Sequence, residues 1–235
     1  MITLCQFADV PGWSVNASPF CLKVEAYLRL AGLPYRIVPT LPMKAPKGKL
    51  PFIIDDDGRH IPDSGQIVAH LEATRGQPVD GGLAPVERAR GHLIRRLCEE
   101  SLFFVVVYSR WFDEEGWRHI EPAFFGHLQP PLRWVLPSLV RRKLRRDVAG
   151  QGLLRHSREE IYQMGYADLD ALALVLGDRP FFVADHPTSV DACAYGFLAN
   201  LLKAPVDSPL KAHAAGHKGL SAFVTRMDGH LGLPA

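Results

Sequence analysis

Ser18 and Cys21 stand three residues apart in the stretch NASPFCLKVEAYLRLAGLPY, a hydroxyl and a thiol at the head of an apolar run. Ser18 followed by Pro19 has the form of a helix start, since serine caps the first turn and proline costs nothing at the first helical position. On the plain reading Ser18 is a cap and nothing more. The same place can also do chemistry. A helix N-terminus offers unpaired N–H groups and partial positive charge, so a thiol held there loses its proton more easily. Ser18 would then donate a hydrogen bond to a sulfur on a bound molecule rather than act as a nucleophile. No G-x-S-x-G surrounds it, so a hydrolase elbow is not supported. Cys21 reads first as a buried inert thiol; the same dipole leaves a redox role open.

Other polar groups fall into place around this pair. Asp63-Ser64 opens another helix and either only caps it or faces a zwitterionic ligand. Asp63 would then pair an amine, while Ser64 and its N–H take a carboxylate. Lys44, Lys47 and Lys49 in KAPKGK form a solvated loop or hold a ligand carboxylate; the segment lacks the P-loop pattern. Leu50-Pro51 is an X-Pro bond ahead of a strand, where a cis peptide can occur. Tyr108, Trp111 and Phe112, in VVVYSRWFDEEGW, are core aromatics or the wall of an apolar ligand site. Arg141 to Arg146, RRKLRR, is a solvated basic helix face, or a contact for an acidic partner or a membrane surface. GQGLLR falls short of G-x-G-x-x-G and follows no strand, so a nucleotide role is not supported.

The elements that must position these residues come in two kinds. Ile2 to Phe7 reads as a buried strand, the run after Pro19 as a helix ended by Gly32, and Pro34 to Pro39 as a second strand. Leu50 to Asp55, a DDDG turn and RHIPD make a hairpin, and Ser64 to Thr74 a helix. Residues 1–75 are thus an α/β unit and 76–84 a linker. Residues 85–235 read as all-helical, with helices expected over Pro85–Phe112, Glu121–Val135, Leu136–Val148, Ser157–Leu176, Val190–Leu202 and Gly219–Leu231.

Composition narrows the partners. The chain has 235 residues, 47% of them hydrophobic, and a formal charge of +2, so no nucleic-acid partner follows from total charge. The apolar run Leu102 to Tyr108 is too short for a membrane span, and the N-terminus lacks the form of a secretory signal. Four scattered cysteines without a CxxC or zinc-like cluster read as reduced thiols with no metal, in a cytoplasmic protein. The sequon Asn16-Ala17-Ser18 precedes a proline and is set aside.

Together these pieces resemble the glutathione transferase family across the whole chain, most strongly from Ile2 to Leu71. Ser18-Pro19-Phe20 is similar to the start of serine-type members, GKLPFI to the family's cis-proline segment, DSGQIVAHLE to its third helix, and TSVDACAYG to its helical-domain capping box, with Thr188 and Asp191. SPFCLKVEAYLRLAGLPY, KAPKGKLPFI and RWFDEEGW resemble the failed-axon-connections and metaxin-like branch. The resemblance implies a thioredoxin-like α/β N-terminal domain followed by an all-α C-terminal bundle. It implies glutathione as co-substrate and a homodimer. Ser18 would hold the glutathione thiolate and the Leu50 backbone, before cis-Pro51, its cysteinyl part. Asp63 and Ser64 would take the γ-glutamyl end, and Lys49, with Lys47, the glycine carboxylate. Tyr108, Trp111 and Phe112 would line the pocket for a small hydrophobic electrophile.

The energetics allow this role for Ser18. Lowering a thiol pKa of about 8.5 by two units takes roughly 2.7 kcal/mol. A hydrogen bond to a charged group supplies about 1.5–3 kcal/mol and the helix dipole roughly 0.3–1. Two other functions stay open: a glutathione-dependent thiol oxidoreductase using Cys21, and a non-catalytic metaxin-like binding protein.

Overall fold

A computed structural model describes residues 1–76 and 78–233; Gln77 of the expected linker and the last two residues lie outside it. Alternation of apolar residues with turn formers gives a four-stranded sheet in the order β2-β1-β3-β4. Strand β1 (Ile2–Gln6) is buried along its whole length and sits centrally, pairing parallel with β2 (Tyr35–Pro39) and antiparallel with β3 (Phe52–Ile54). β3 turns back into β4 (His60–Pro62), with Ile53 opposite Ile61. Gly58 takes the positive φ that this tight turn demands.

Helix α1 (Pro19–Leu30) links β1 to β2, and α2 (Ser64–Thr74) follows β4. α1 is apolar on two sides because two layers cover it. Val24, Tyr27 and Leu28 belong to one continuous core with Leu4 and Ile53 of the sheet and with Phe197 and Leu198 of α8 (Ser189–Lys203). Residues 190–201 of α8 are buried without a break. Asp191 fixes its start, accepting from the Thr188 N–H at 2.9 Å, the Thr188 hydroxyl at 2.6 Å and the Phe182 N–H at 2.8 Å.

The expected helix Pro85–Phe112 is continuous but not uniform. α3 (Pro85–Arg96) passes through a π-helical stretch, Leu97–Leu102, into α4 (Phe103–Trp111). The wider turn rotates the buried face, so Leu93, which a constant helical period lines up with Leu97, Phe104, Tyr108 and Trp111, is 69% exposed while Ile94 and Cys98 are buried. The helix expected over Glu121–Val135 is also corrected. Asp113 caps α5 (Glu114–Phe125), and the Pro130-Pro131 pair, lacking both amide hydrogens, interrupts the chain before α6 (Leu132–Gln151). α6, which carries RRKLRR, buries only Pro137 and Val148. α7 (Arg158–Leu176) meets the expectation closely. α9 (Pro209–Gly216) was not expected and precedes α10 (Lys218–Leu231). Its signal is Ser208-Pro209, the same cap-and-proline pair as Ser18-Pro19, with the Ser208 hydroxyl accepting from the Lys211 N–H at 3.1 Å.

Candidate functional site

Three element starts converge at the end of the sheet where β1 and β4 finish and β3 begins. Ser18 is the N-cap of α1, its φ of −99° and ψ of 121° extended, and its Oγ accepts from the Cys21 N–H at 3.3 Å. The residue is half-buried, and its hydroxyl can rotate to donate either to the Cys21 thiol or outward. Leu50-Pro51 is a cis peptide ahead of β3. Leu50 and Phe52 pack with Cys21, which ties this segment to the first turn of α1. The start of α2 joins through Lys23, whose Nζ donates to the Ser64 Oγ at 3.2 Å.

Asp63 is the only non-glycine residue with positive φ among those described, at 77°. Such a conformation costs roughly 1–3 kcal/mol and persists where surrounding structure enforces it. Its Oδ1 accepts from the N–H groups of Gly65 at 2.9 Å and Gln66 at 3.1 Å. The residue is exposed, which leaves Oδ2 accessible to a cation. Ser64, by contrast, is 6% exposed, and its hydroxyl is already engaged by Lys23. Lys47 and Lys49 are exposed on the preceding loop.

Cys21 is fully buried, and burial pushes its thiol up to about 11 despite the opposing Ser18 hydroxyl and Phe7 backbone. The helix N-terminus that would favour a thiolate is outweighed here by desolvation. A redox role for Cys21 therefore finds no support in its surroundings.

The expected aromatic wall divides. Tyr108 lies 6.3 Å from Phe112 and 6.1 Å from Tyr162, whereas Trp111 packs against Trp117 at 5.9 Å and Phe124 at 5.6 Å. A cleft of about 500 Å³ instead lies between the loop before Ser18 and α5, lined by Pro11, Trp13, Arg118, His119, Pro122 and His127 among others. Another, of about 520 Å³, lies between α5 and α6. Neither is lined by Tyr108, Trp111 or Phe112.

A buried polar network missed by the sequence reading holds the Ser18 loop. Arg110 of α4 is buried, with Nη1 donating to the Asn200 Oδ1 and Nη2 to the Asn200 carbonyl, each at 2.7 Å. Asn200 donates to the Asn16 carbonyl at 2.7 Å, and Asn16 Oδ1 accepts from the Ser18 N–H at 3.0 Å. Arg110 also reaches the Ala17 carbonyl at 3.4 Å and lies 5.3 Å over the Trp13 ring. Burial lowers its guanidinium to about 10, still a cation at neutral pH, and its hydrogen bonds among the described residues go to an amide and to backbone carbonyls, not to a carboxylate. Its positive charge thus stays uncompensated one residue from Ser18.

A second missed group is the Lys23–Glu99 pair. The two side chains are 2.6 Å apart and nearly buried, joining α1 to the π-helical stretch. The signal for both networks is a charged or amide residue inside an apolar helix: Lys23, Arg110 and Asn200. Finally, α8 crosses α1 at Gly196, where an added Cβ would stand 2.7 Å from the Pro19 carbonyl oxygen and 2.8 Å from the Lys23 nitrogen. Only glycine allows so close an approach to the turn that Ser18 caps.

Comparison with known proteins agrees with this architecture. Residues 19–116 match the glutathione S-transferase N-terminal domain model and residues 165–227 a C-terminal domain model of the same family. The isoprene-epoxide–glutathione S-transferase of Rhodococcus sp. strain AD45 is 32% identical over 213 residues, covering 87% of this chain and 88% of that protein. Failed axon connections of Drosophila melanogaster is 31% identical over 86% of this chain, which spans 50% of that protein's length. Metaxin-1 of Mus musculus is 29% identical over 92% of this chain and 71% of its own. Among solved structures, the glutathione S-transferase CsGST63524 of Ceriporiopsis subvermispora, in complex with glutathione, superposes with a TM-score of 0.66 at 19% identity, over 99% of this chain and 98% of that one. Two domain models of one family, and a relative 32% identical over most of both chains, leave one assignment: the chain belongs to the glutathione S-transferase family.

Proposed function

We propose that this protein binds glutathione along the edge formed by α1, Leu50-Pro51 and α2, and ionises its thiol for addition to a small hydrophobic electrophile. The observation that supports the reading is the half-buried Ser18 hydroxyl at the positive end of α1; its Oγ accepts from the Cys21 N–H and lies against the buried Cys21 thiol, and its hydrogen would turn to a bound sulfur. Glutathione's sulfur would accept from Ser18, with the Arg110 charge and the helix dipole favouring its anion. The Leu50 backbone would pair with the cysteinyl amide, the exposed Asp63 carboxylate with the γ-glutamyl ammonium, and Lys49, with Lys47, with the glycine carboxylate. Ser64, buried against Lys23, would meet the γ-glutamyl carboxylate through its N–H rather than its hydroxyl. The cleft beside Trp13 is nearer this loop in sequence than Tyr108 or Phe112, and it would take the electrophile.

The attacking thiolate would form a carbon–sulfur bond, and the electrophile would open or lose its leaving group. A relative named for isoprene epoxide makes small epoxides the first class to assay. A homodimer and a cytoplasmic location belong to the same proposal and rest on the family resemblance. No helix among the described residues is long and apolar enough to cross a membrane.

The test is conjugation of glutathione to a panel of small epoxides by wild type and Ser18→Ala. Loss of one hydrogen bond to a thiolate predicts a rate about 10–100-fold lower, with binding retained. Equal rates would remove Ser18 from the mechanism. A second reading, a non-catalytic binding protein, draws on the metaxin relatives and on α6, which leaves Leu132, Trp134, Val135 and Leu139 exposed beside its basic run. It predicts no conjugation with any electrophile and no glutathione affinity.

A further inference from the structure

Three ligand-type side chains of the helical region, from α7, α9 and the α9–α10 junction, meet at the surface. Asp170 projects from α7, His213 from the last turn of α9, and His217 from the junction between α9 and α10. Asp170 Oδ1 lies 2.7 Å from the His213 Nε2 and 2.8 Å from the His217 Nε2. All three ligand atoms fall within 4.8 Å of one another. His217 follows the end of α9 in extended backbone, which brings its ring to 5.2 Å from that of His213, centroid to centroid. His213 is held in place by stacking on Tyr166, with ring centroids 4.3 Å apart.

From this geometry we propose that Asp170, His213 and His217 form a binding site for one divalent transition-metal ion of the zinc class. Two imidazoles and a carboxylate are a donor set suited to zinc, cobalt, nickel or copper, and unsuited to magnesium or calcium, which take oxygen ligands. Donor atoms around a tetrahedral zinc ion stand about 3.3 Å apart, given metal–ligand bonds of about 2.0–2.1 Å. The two Asp170–imidazole spacings therefore need to open by about half an ångström, and the two imidazole nitrogens, already within 4.8 Å, to settle at the same separation. The side chains can give this much, since they are 49%, 30% and 29% exposed. The ion would replace the two N–H hydrogens that now point at Asp170, and solvent would fill its fourth position. Bound there, it would cross-link α7 to both ends of the α9–α10 junction. The site was invisible in the sequence because Asp170 is 43 residues from His213.

The test uses untagged, chelator-treated full-length protein, with Zn²⁺ followed by calorimetry and Co²⁺ by absorption. The expected result is one equivalent of Zn²⁺ bound at micromolar or tighter affinity and a higher melting temperature. Co²⁺ should show the visible bands of a four-coordinate nitrogen–oxygen site without thiolate charge-transfer absorption. His213→Gln and Asp170→Asn should each weaken binding tenfold or more, while His186→Gln leaves it unchanged. Asp170→Asn keeps an oxygen acceptor for both imidazoles, so it decides the matter if His213→Gln does not fold. Binding no tighter than millimolar, equal affinity in Asp170→Asn, or a thiolate band from the buried cysteines would each overturn the site.

Discussion

Replacing Gly196 by alanine tests whether the approach of α8 to α1 sets the position of Ser18. The added Cβ would stand 2.7 Å from the Pro19 carbonyl oxygen, 2.8 Å from the Lys23 nitrogen and 3.0 Å from the Lys23 Cα. These are backbone atoms, which cannot rotate away. Restoring ordinary contact near 3.4–3.5 Å requires the two helices to part by roughly 0.7 Å. Overpacking of this kind costs about 1–3 kcal/mol. For a chain of this size the melting temperature should fall by about 2–4 °C per kcal/mol, hence by roughly 2–12 °C. The displacement falls on the turn that Ser18 caps, and misplacing a reactive group by about 1 Å can cost about 100-fold in rate. Gly229 is the matched control, since nothing lies within 4 Å of its added Cβ and it sits inside α10. Gly229→Ala should therefore stabilise by about 0.5–1 kcal/mol, as alanine does in a helix interior. Thermal melts and conjugation rates of the two variants, side by side, decide the question. If Gly196→Ala melts like wild type and conjugates at the wild-type rate, the close crossing does not position the site.

Other perturbations probe the buried groups. Lys23→Met strands Glu99 with little solvent and should cost about 3–5 kcal/mol, whereas Lys23→Met with Glu99→Leu should recover part of that loss in thermal or urea unfolding. Arg110→Met leaves two Asn200 acceptors and the Ala17 carbonyl without their donor; a loss of more than about 2 kcal/mol and slower conjugation are expected. With its thiol at about 11, Cys21 is roughly 0.1% thiolate at pH 8 against about 24% for an ordinary cysteine. A disulfide reagent should leave it unmodified in the native protein, with reactivity rising only as the pH approaches 11. Rapid native-state labelling at pH 8 would revive the oxidoreductase reading.

The α/β half was legible because its signals are local. Ser18-Pro19, the DDDG turn and Asp63-Ser64 each name a cap or a turn without help from distant residues. Thr188 and Asp191 are legible in the same way, three positions apart at the start of α8. The helical half was harder, for identifiable reasons. The π-helical stretch after Arg96 shifts the buried face, so a constant period assigns Leu93 inward when it lies outside. Pro130-Pro131 breaks a helical period that otherwise runs on from the end of α5 into the start of α6. The candidate site was legible at Ser18, Pro51 and Asp63, where the motif is contiguous. Its supports were not: Arg110 is 90 residues from Asn200 and Lys23 is 76 from Glu99, and no pattern in the chain announces such pairs. What was visible is that Lys23, Arg110 and Asn200 are costly residues in apolar helices, and each must have a partner.

If α1 and Ser18 ionise a bound thiol, glutathione binding must release protons. Calorimetric titration of glutathione into wild type and Ser18→Ala, repeated in buffers of different ionisation enthalpy, measures the protons released. A thiol pKa lowered from about 8.5 by two units means that binding at pH 7 releases about 0.7 proton per glutathione. Without the Ser18 hydrogen bond the release should drop below about 0.25, with glutathione still bound. Absence of binding by wild type, or equal proton release by the two proteins, would contradict the account.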